Sequence, residues 1–401
     1  MKKVLIVMMD MRLGGAQKSL LSFLQSMEES PAKSECELHL MVIKQGGALM
    51  DQLPPCVQMI EPPKELCWLG TPFRKELLKT KFSVRGIWGE CRWLLKSRLG
   101  LFPKPLNKQQ RLWSCWHKLV PQLHDHYDTA ISYIDGFTNY YVMDKVQADR
   151  KILWVHNEYQ KQGCDAAYDR PYYEACHEIV TISENCRRCI VKEFPTCADK
   201  THVLENITHY QSLLQKSKQG SCPEFDGFDG WKLLSVGRLN PLKGFDLAVE
   251  AAKLLRDRGV QFLWLIIGDG PERRTLQAMI DAYQLHDHIC LIGAREDPYP
   301  YMGCCDVLVQ PSRSEGRSIV LDEAKLLCKP IVVTDYMTVR DAVEHGRSGW
   351  VVDMTPEGIC EGIVRVMDDQ PLRQELCQYL QGLPKGNEAA LKRYLDIMLC
   401  L

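Results

Sequence analysis

Short apolar runs alternate along the chain with longer segments whose apolar residues recur every three or four positions. Val4 to Met9, Leu38 to Ile43, Thr129 to Tyr133, Ile152 to His156, Ile179 to Ile182 and His202 to Leu204 mark the first half; Lys232 to Val236, Phe262 to Ile267, Ile289 to Ile292, Val307 to Gln310, Ile331 to Thr334 and Trp350 to Val352 mark the second. Runs this short and this apolar predict strands buried on both faces, and the periodic segments between them predict the helices that cover a parallel sheet. The first run leads through Gly14-Gly15 into a helix over Ala16 to Met27. That opening repeats at Lys232, with a turn over Gly237 to Gly244 and an amphipathic helix over Asp246 to Arg258. Between the halves, residues 216–230 are polar, Gly-rich and without periodicity, which predicts a linker. The expected fold class is α/β: two Rossmann-like doubly wound domains, 1–215 and 231–385, facing a central cleft, with a C-terminal helix over 386–401 packing back on the first domain. Ligands of such sheets bind at the carboxyl ends of the strands.

Composition narrows the class without changing it. The 401 residues are 45% apolar and 25% charged, which excludes a disordered or fibrous chain. Fifty Lys and Arg stand against 51 Asp and Glu, so the net charge gives no argument for nucleic acid. Eighteen cysteines are spread over the whole chain, and Val4 to Met9 is too short for a secretion signal. Both features predict reduced thiols in a cytoplasmic protein. The near-neutral total conceals one asymmetry. Phe73 to Lys118 holds twelve Lys or Arg against Glu76 and Glu90, a net of +10 that leaves −11 for the rest. Phe73, Phe82, Trp88, Trp93, Phe102, Trp113 and Trp116 are interleaved with those charges. Such a mixture is expected of helices lying on an anionic lipid surface, the alternative being a basic solvated face whose tryptophans are core.

Two clusters carry candidate chemistry. In Ser312 to Ala324 a loop holding Glu315 runs into a helix starting near Ser318, with Glu323 about a turn inside. The amides of Ser318, Ile319 and Val320 then point outward from a helix N-terminus, where a phosphate is favoured, and two carboxylates bracket them. The plainer alternative makes Glu315 a cap and Glu323 a solvated side chain. In Gly237 to Gly244 a Pro-containing turn lets Arg238 and Lys243 converge, two charges suited to a diphosphate; alone they are equally two exposed cations.

Together these residues closely resemble the family 4 retaining glycosyltransferases of GT-B fold. The matching features are Glu315 and Glu323 with seven residues between them, the Gly-Arg-Leu turn ending at Gly244, and Gly14-Gly15-Ala16 after the first strand. The resemblance implies a nucleotide-sugar donor, with UDP the usual nucleotide, held by the C-terminal domain. Arg238 and Lys243 would neutralise its diphosphate, Glu315 would bond the transferred sugar, Glu323 the ribose, and the backbone at Ile319 and Val320 the distal phosphate. Gly14 and Gly15 would close over the donor, and His156 falls where the family places a residue near the sugar. Two departures stand out: the family's Gly-Phe-Gly after the first Glu reads Gly316-Arg317-Ser318, and its Pro-Asn-Gly reads Glu205-Asn206-Ile207. Retaining transfer without an enzymic nucleophile needs chiefly a stabilised leaving diphosphate, and the chain contains no Asp-x-Asp, so no metal or other cofactor is expected.

The expected activity is sugar transfer to a glycan or lipid-linked acceptor in cell-surface polysaccharide synthesis, such as capsule, at the inner face of the plasma membrane. A glycogen- or sucrose-type synthase and a noncatalytic sugar-nucleotide binder are the alternatives. Gly268-Asp269-Gly270 lacks the third glycine of a dinucleotide site and reads as a strand-end turn walling a base pocket with Arg295. Cys186 and Cys189 have no second pair to complete a zinc site, and Cys304-Cys305 suggests only apolar packing.

Overall fold

The computed structural model describes residues 1–68, 84–102, 106–385 and 388–400. The chain forms two compact units: Met1–Ile207 with Glu388–Leu401, and Thr208–Asn387. In the first, strands β1 (Lys2–Met8), β2 (Cys36–Val42), β3 (Val57–Ile60), β4 (His126–Ser132), β5 (Gln147–Val155), β6 (Glu178–Thr181) and β7 (Thr201–Val203) build an all-parallel sheet in the order 3-2-1-4-5-6-7. In the second, β8 (Trp231–Val236), β9 (Phe262–Ile267), β10 (Ile289–Gly293), β11 (Val307–Gln310), β12 (Ile331–Thr334) and β13 (Trp350–Val352) are ordered 10-9-8-11-12-13, again all parallel. Every residue of β11 and β12 is buried, which is why these strands read as unbroken apolar runs.

Twelve strands fall on the apolar runs; β3 does not. It is a four-residue edge strand with two exposed positions, so no buried face marks it in the sequence. The expected linker is also different. Residues 216–219 end a helix, Tyr210–Gln219, and Pro223–Phe225 form a 3-10 turn. Leu213, Cys222 and Phe225 are buried, the last two in the core of the second unit, so the chain passes between units near residue 207. Polar spacing hid a segment anchored by few large side chains. It is further tied by a disulfide between Cys222 and Cys304, which corrects both the expectation of eighteen reduced thiols and the reading of Cys304 as mere packing.

The terminal helix Glu388–Leu399 completes the first unit. Tyr394 is 1% exposed, with its ring 5.3 Å from Phe23 and 4.9 Å from Trp154. The last-turn carbonyls of a helix lack intrahelical partners, and here other elements supply them. Thr129 Oγ1 donates to Met398 O at 2.7 Å, an Arg150 guanidinium nitrogen to Ile397 O at 2.9 Å, and Lys2 Nζ to Leu399 O.

Candidate functional site

In the second sheet the order in which strands are added reverses between β8 and β11, which pair in parallel through Val307 and Leu308 with Leu233 and Leu234. Loops leaving neighbouring strands at such a point frame a crevice. The two loops here carry the two clusters found in the sequence. Gly244, at φ 64°, sits where they touch; a Cβ there would lie 2.0 Å from the Pro311 carbonyl oxygen, so only glycine fits. Arg313 stitches the loops, donating to Pro241 O at 3.0 Å and gripping Asp246 through two 2.6 Å bonds.

Lys243 and Glu315 meet across this junction, Nζ to Oε1 at 2.6 Å, with Glu315 11% and Lys243 23% exposed. The same Oε1 accepts from Ser312 Oγ at 2.6 Å and from Gln310 Nε2 at 3.2 Å, and the Glu315 carbonyl accepts from Thr338 Oγ1 at 2.7 Å. Glu315 therefore caps nothing; it is a carboxylate held by a cation and neutral donors. Arg238 stays exposed on the same loop as Lys243.

Ser318 is the N-cap of the helix Ile319–Leu326, whose first intrahelical bond, Asp322 N to Ser318 O, is 3.4 Å long. The amides of Ile319 and Val320 precede it, as the sequence suggested. Ser318 lies at φ −85°, ψ 107°, a conformation open to any residue, so serine replaces the family's glycine without backbone strain. Its hydroxyl donates to Gln310 Oε1 at 2.7 Å. Arg317, where the family has phenylalanine, is turned inward to Asp322 at 3.0 Å. Burial would raise the Asp322 carboxyl, but Arg317 and, at 2.8 Å, Lys325 hold it below its ordinary value.

Glu323 is not solvated: it is 1% exposed and accepts from Tyr299 OH at 2.9 Å. Arg295 pairs with Glu224 at 3.0 Å, and Tyr301 OH donates to the other Glu224 oxygen at 2.7 Å. The structure brings the predicted Lys243 and Glu315 together and surrounds them with Gln310, Ser312 and Thr338, while Tyr299 bonds Glu323; of these partners only Ser312 lay within the cluster singled out in the sequence. Gln310 was detectable as an amide closing an otherwise apolar strand.

Gly14, Gly15 and His156 belong to the first unit, after β1 and β5. Gly14 is the N-cap of the helix Gly15–Glu29 in an extended conformation that any residue adopts. His156 is 7% exposed, its ring 5.3 Å from Tyr133, and its Nε2 has no partner among the described residues. Burial pushes its imidazole down to about 4, so it is neutral at pH 7. Asp135, following β4, accepts from His156 N at 3.0 Å, Asn157 Nδ2 at 2.8 Å and Gln162 Nε2 at 3.2 Å. Burial outweighs these donors and pushes its carboxyl up to about 6.

Of the basic segment, Phe73 to Phe82 and Lys104 lie outside the described residues. The helix Val84–Arg98 exposes Val84, Trp88, Leu94 and Leu95 among Arg85, Arg92 and Lys96; Leu99 and Leu101 beyond it are exposed as well. Trp113 and Trp116, by contrast, are fully buried, and Gly89 lets Trp116 approach the helix. For those two tryptophans the core reading is correct.

Two parallel Rossmann-like units of this kind define the GT-B fold. Its likeness to solved structures is complete in length: HepE of Anabaena, crystallised with UDP and glucose, superposes with a TM-score of 0.69 at 14% identity over 100% of both chains. Residues 227–381 match the family model described as glycosyl transferases group 1. Among curated relatives, the alpha-D-kanosaminyltransferase of Streptomyces kanamyceticus is 34% identical over 213 residues, 51% of this chain and 55% of that protein. The N-acetylgalactosamine-N,N'-diacetylbacillosaminyl-diphospho-undecaprenol 4-alpha-N-acetylgalactosaminyltransferase of Campylobacter jejuni is 28% identical over 205 residues, 50% of this chain and 54% of that protein. The chain thus spans about half the length of each of these two relatives.

Proposed function

We propose that the protein is a retaining, metal-independent glycosyltransferase of family 4 type that moves a sugar from a nucleotide-sugar donor, UDP-linked, to a lipid-linked glycan acceptor in cell-surface polysaccharide synthesis. The observation that carries this reading is the junction of Lys243 and Glu315 beside the open amides of Ile319 and Val320 at the sheet's reversal point. The diphosphate sits on those amides with Arg238 and Lys243 as counter-charges, in place of a metal. Glu315 accepts a hydroxyl of the transferred sugar, and Glu323 holds the ribose. The anomeric C–O bond to the diphosphate breaks, the acceptor oxygen bonds to the anomeric carbon on the same face, and its proton passes to a phosphate oxygen. UDP in the HepE crystals and a diphospho-undecaprenol acceptor in the Campylobacter relative's name support the choice of donor and acceptor class. The exposed apolar residues and cations of Val84–Arg98 support docking on an anionic cytoplasmic membrane face.

The test is release of nucleoside diphosphate from candidate UDP-sugars when a polyprenyl-diphosphate glycan is added, with retention read from the product's anomeric configuration. Arg238→Ala should cost about 2–4 kcal/mol of transition-state stabilisation, and EDTA should leave the rate unchanged. Binding of UDP-sugars without turnover on any acceptor would reduce the protein to a sugar-nucleotide binder. Loss of activity in EDTA with recovery in manganese would overturn metal independence.

A further inference from the structure

We infer that Gln310 and Ser318 act as a coupled pair of positioning residues that aim Glu315 at the transferred sugar. The inference deepens the functional reading above and rests on it. Glu315 places all its side-chain hydrogen bonds from Lys243, Ser312 and Gln310 on Oε1; among the described residues none reaches Oε2. One oxygen is pinned and the other is left for a ligand. Of the three donors, Lys243 is the one that a diphosphate competes for, because a cation beside both groups divides its charge between them. When donor is bound, the neutral contacts must keep the carboxylate in place.

The amide geometry explains why two residues are needed. A carboxylate only accepts, so the Gln310 side chain must turn its NH2 towards Glu315, and its carbonyl then faces the other way and needs a donor of its own. Ser318 Oγ supplies it at 2.7 Å, with Gln310 5% and Ser318 4% exposed. With glycine at 318 that carbonyl would be buried without this donor, and the amide would lose the contact that fixes its orientation. The serine at this position is therefore linked to the glutamine at the end of β11, eight residues earlier.

The experiment compares UDP, which has no sugar, with UDP-glucose and UDP-N-acetylglucosamine, measuring affinity and the slow release of UDP by hydrolysis. Gln310→Leu and Ser318→Ala should each reduce hydrolysis about tenfold while the UDP dissociation constant stays within twofold. The double variant should be no worse than Gln310→Leu alone, and Ser318→Thr, which keeps the hydroxyl, should restore the rate. A parallel loss of UDP affinity, independent effects that multiply, or unchanged hydrolysis in Ser318→Ala would overturn the pairing. Ser318→Ala removes one oxygen only and serves even if Gln310→Leu destabilises the strand. If the unaltered protein binds UDP but neither sugar nucleotide more tightly and hydrolyses neither, the donor reading itself fails, and this inference with it.

Discussion

Glu315 and Glu323 share a motif but not an environment: one is held at the loop junction with an oxygen to spare, the other is 1% exposed beneath Tyr299. Their variants should separate accordingly. Glu315→Gln is expected to lower turnover about a hundredfold with UDP affinity retained, whereas Glu323→Ala should weaken UDP binding itself by about tenfold, as loss of a charged hydrogen bond does. Titration of UDP into each variant, alongside hydrolysis rates, checks both. In the first unit, His156 and Asp135 oppose each other with pH. The imidazole is depressed from 6.5 to about 4, so the stability it contributes is lost as pH falls from about 6.5 towards 4. The carboxyl is raised from 3.8 to about 6, so the charged form is disfavoured and stability grows as pH falls through the same window. Each effect is on the order of 3 kcal/mol at most, smaller for the partly exposed Asp135. Between pH 6.5 and 4 the urea midpoint of Asp135→Asn should fall more steeply on acidification than that of the unaltered protein, and the midpoint of His156→Gln less steeply.

At the scale of elements, the buried parallel strands were legible because burial on both faces leaves unbroken apolar runs. The site was legible where charged residues sat at strand ends, as with Lys243 and Glu315. What the sequence concealed were contacts made only once β8 and β11 lie side by side, 72 residues apart in the chain at Lys243 and Glu315. Ser312, Gln310 and Thr338 are ordinary polar residues until the loops close around Glu315. The stretch 216–230 was misleading for a related reason: Cys222 and Phe225 are too few to make a pattern yet enough to anchor it to the second unit's core. The helix Val84–Arg98 exposes apolar residues beside its cations, whereas Trp113 and Trp116 are core, as the alternative reading of the basic segment had it. Arg92, Lys96 and Arg98 changed together to Glu should release the protein from phosphatidylglycerol-rich vesicles, each cation contributing about 1 kcal/mol, while UDP binding is retained. Failure of the unaltered protein to sediment with such vesicles at low salt would remove the membrane from the functional reading.

On the scale of the whole molecule, the second unit is an insertion: the chain leaves the first unit near residue 207 and returns at residue 388. Tyr394→Ala, which empties the space between Phe23 and Trp154, should cost about 3 kcal/mol and lower the urea midpoint of the first unit's transition, leaving that of the second unchanged. The terminal helix also sets the order in which the molecule is finished during synthesis. The strands before Ile207 belong to a unit whose aromatic core lacks Tyr394 until Thr208–Asn387 has been made. At about 5–20 residues per second, the roughly 190 residues from Thr208 to Tyr394 take about 10–40 s, and the strands made before Ile207 wait that long for the helix that closes their core. Throughout that interval Phe23 and Trp154 face an unfilled slot, so the unit begun earlier is the one that waits longer for protection from aggregation.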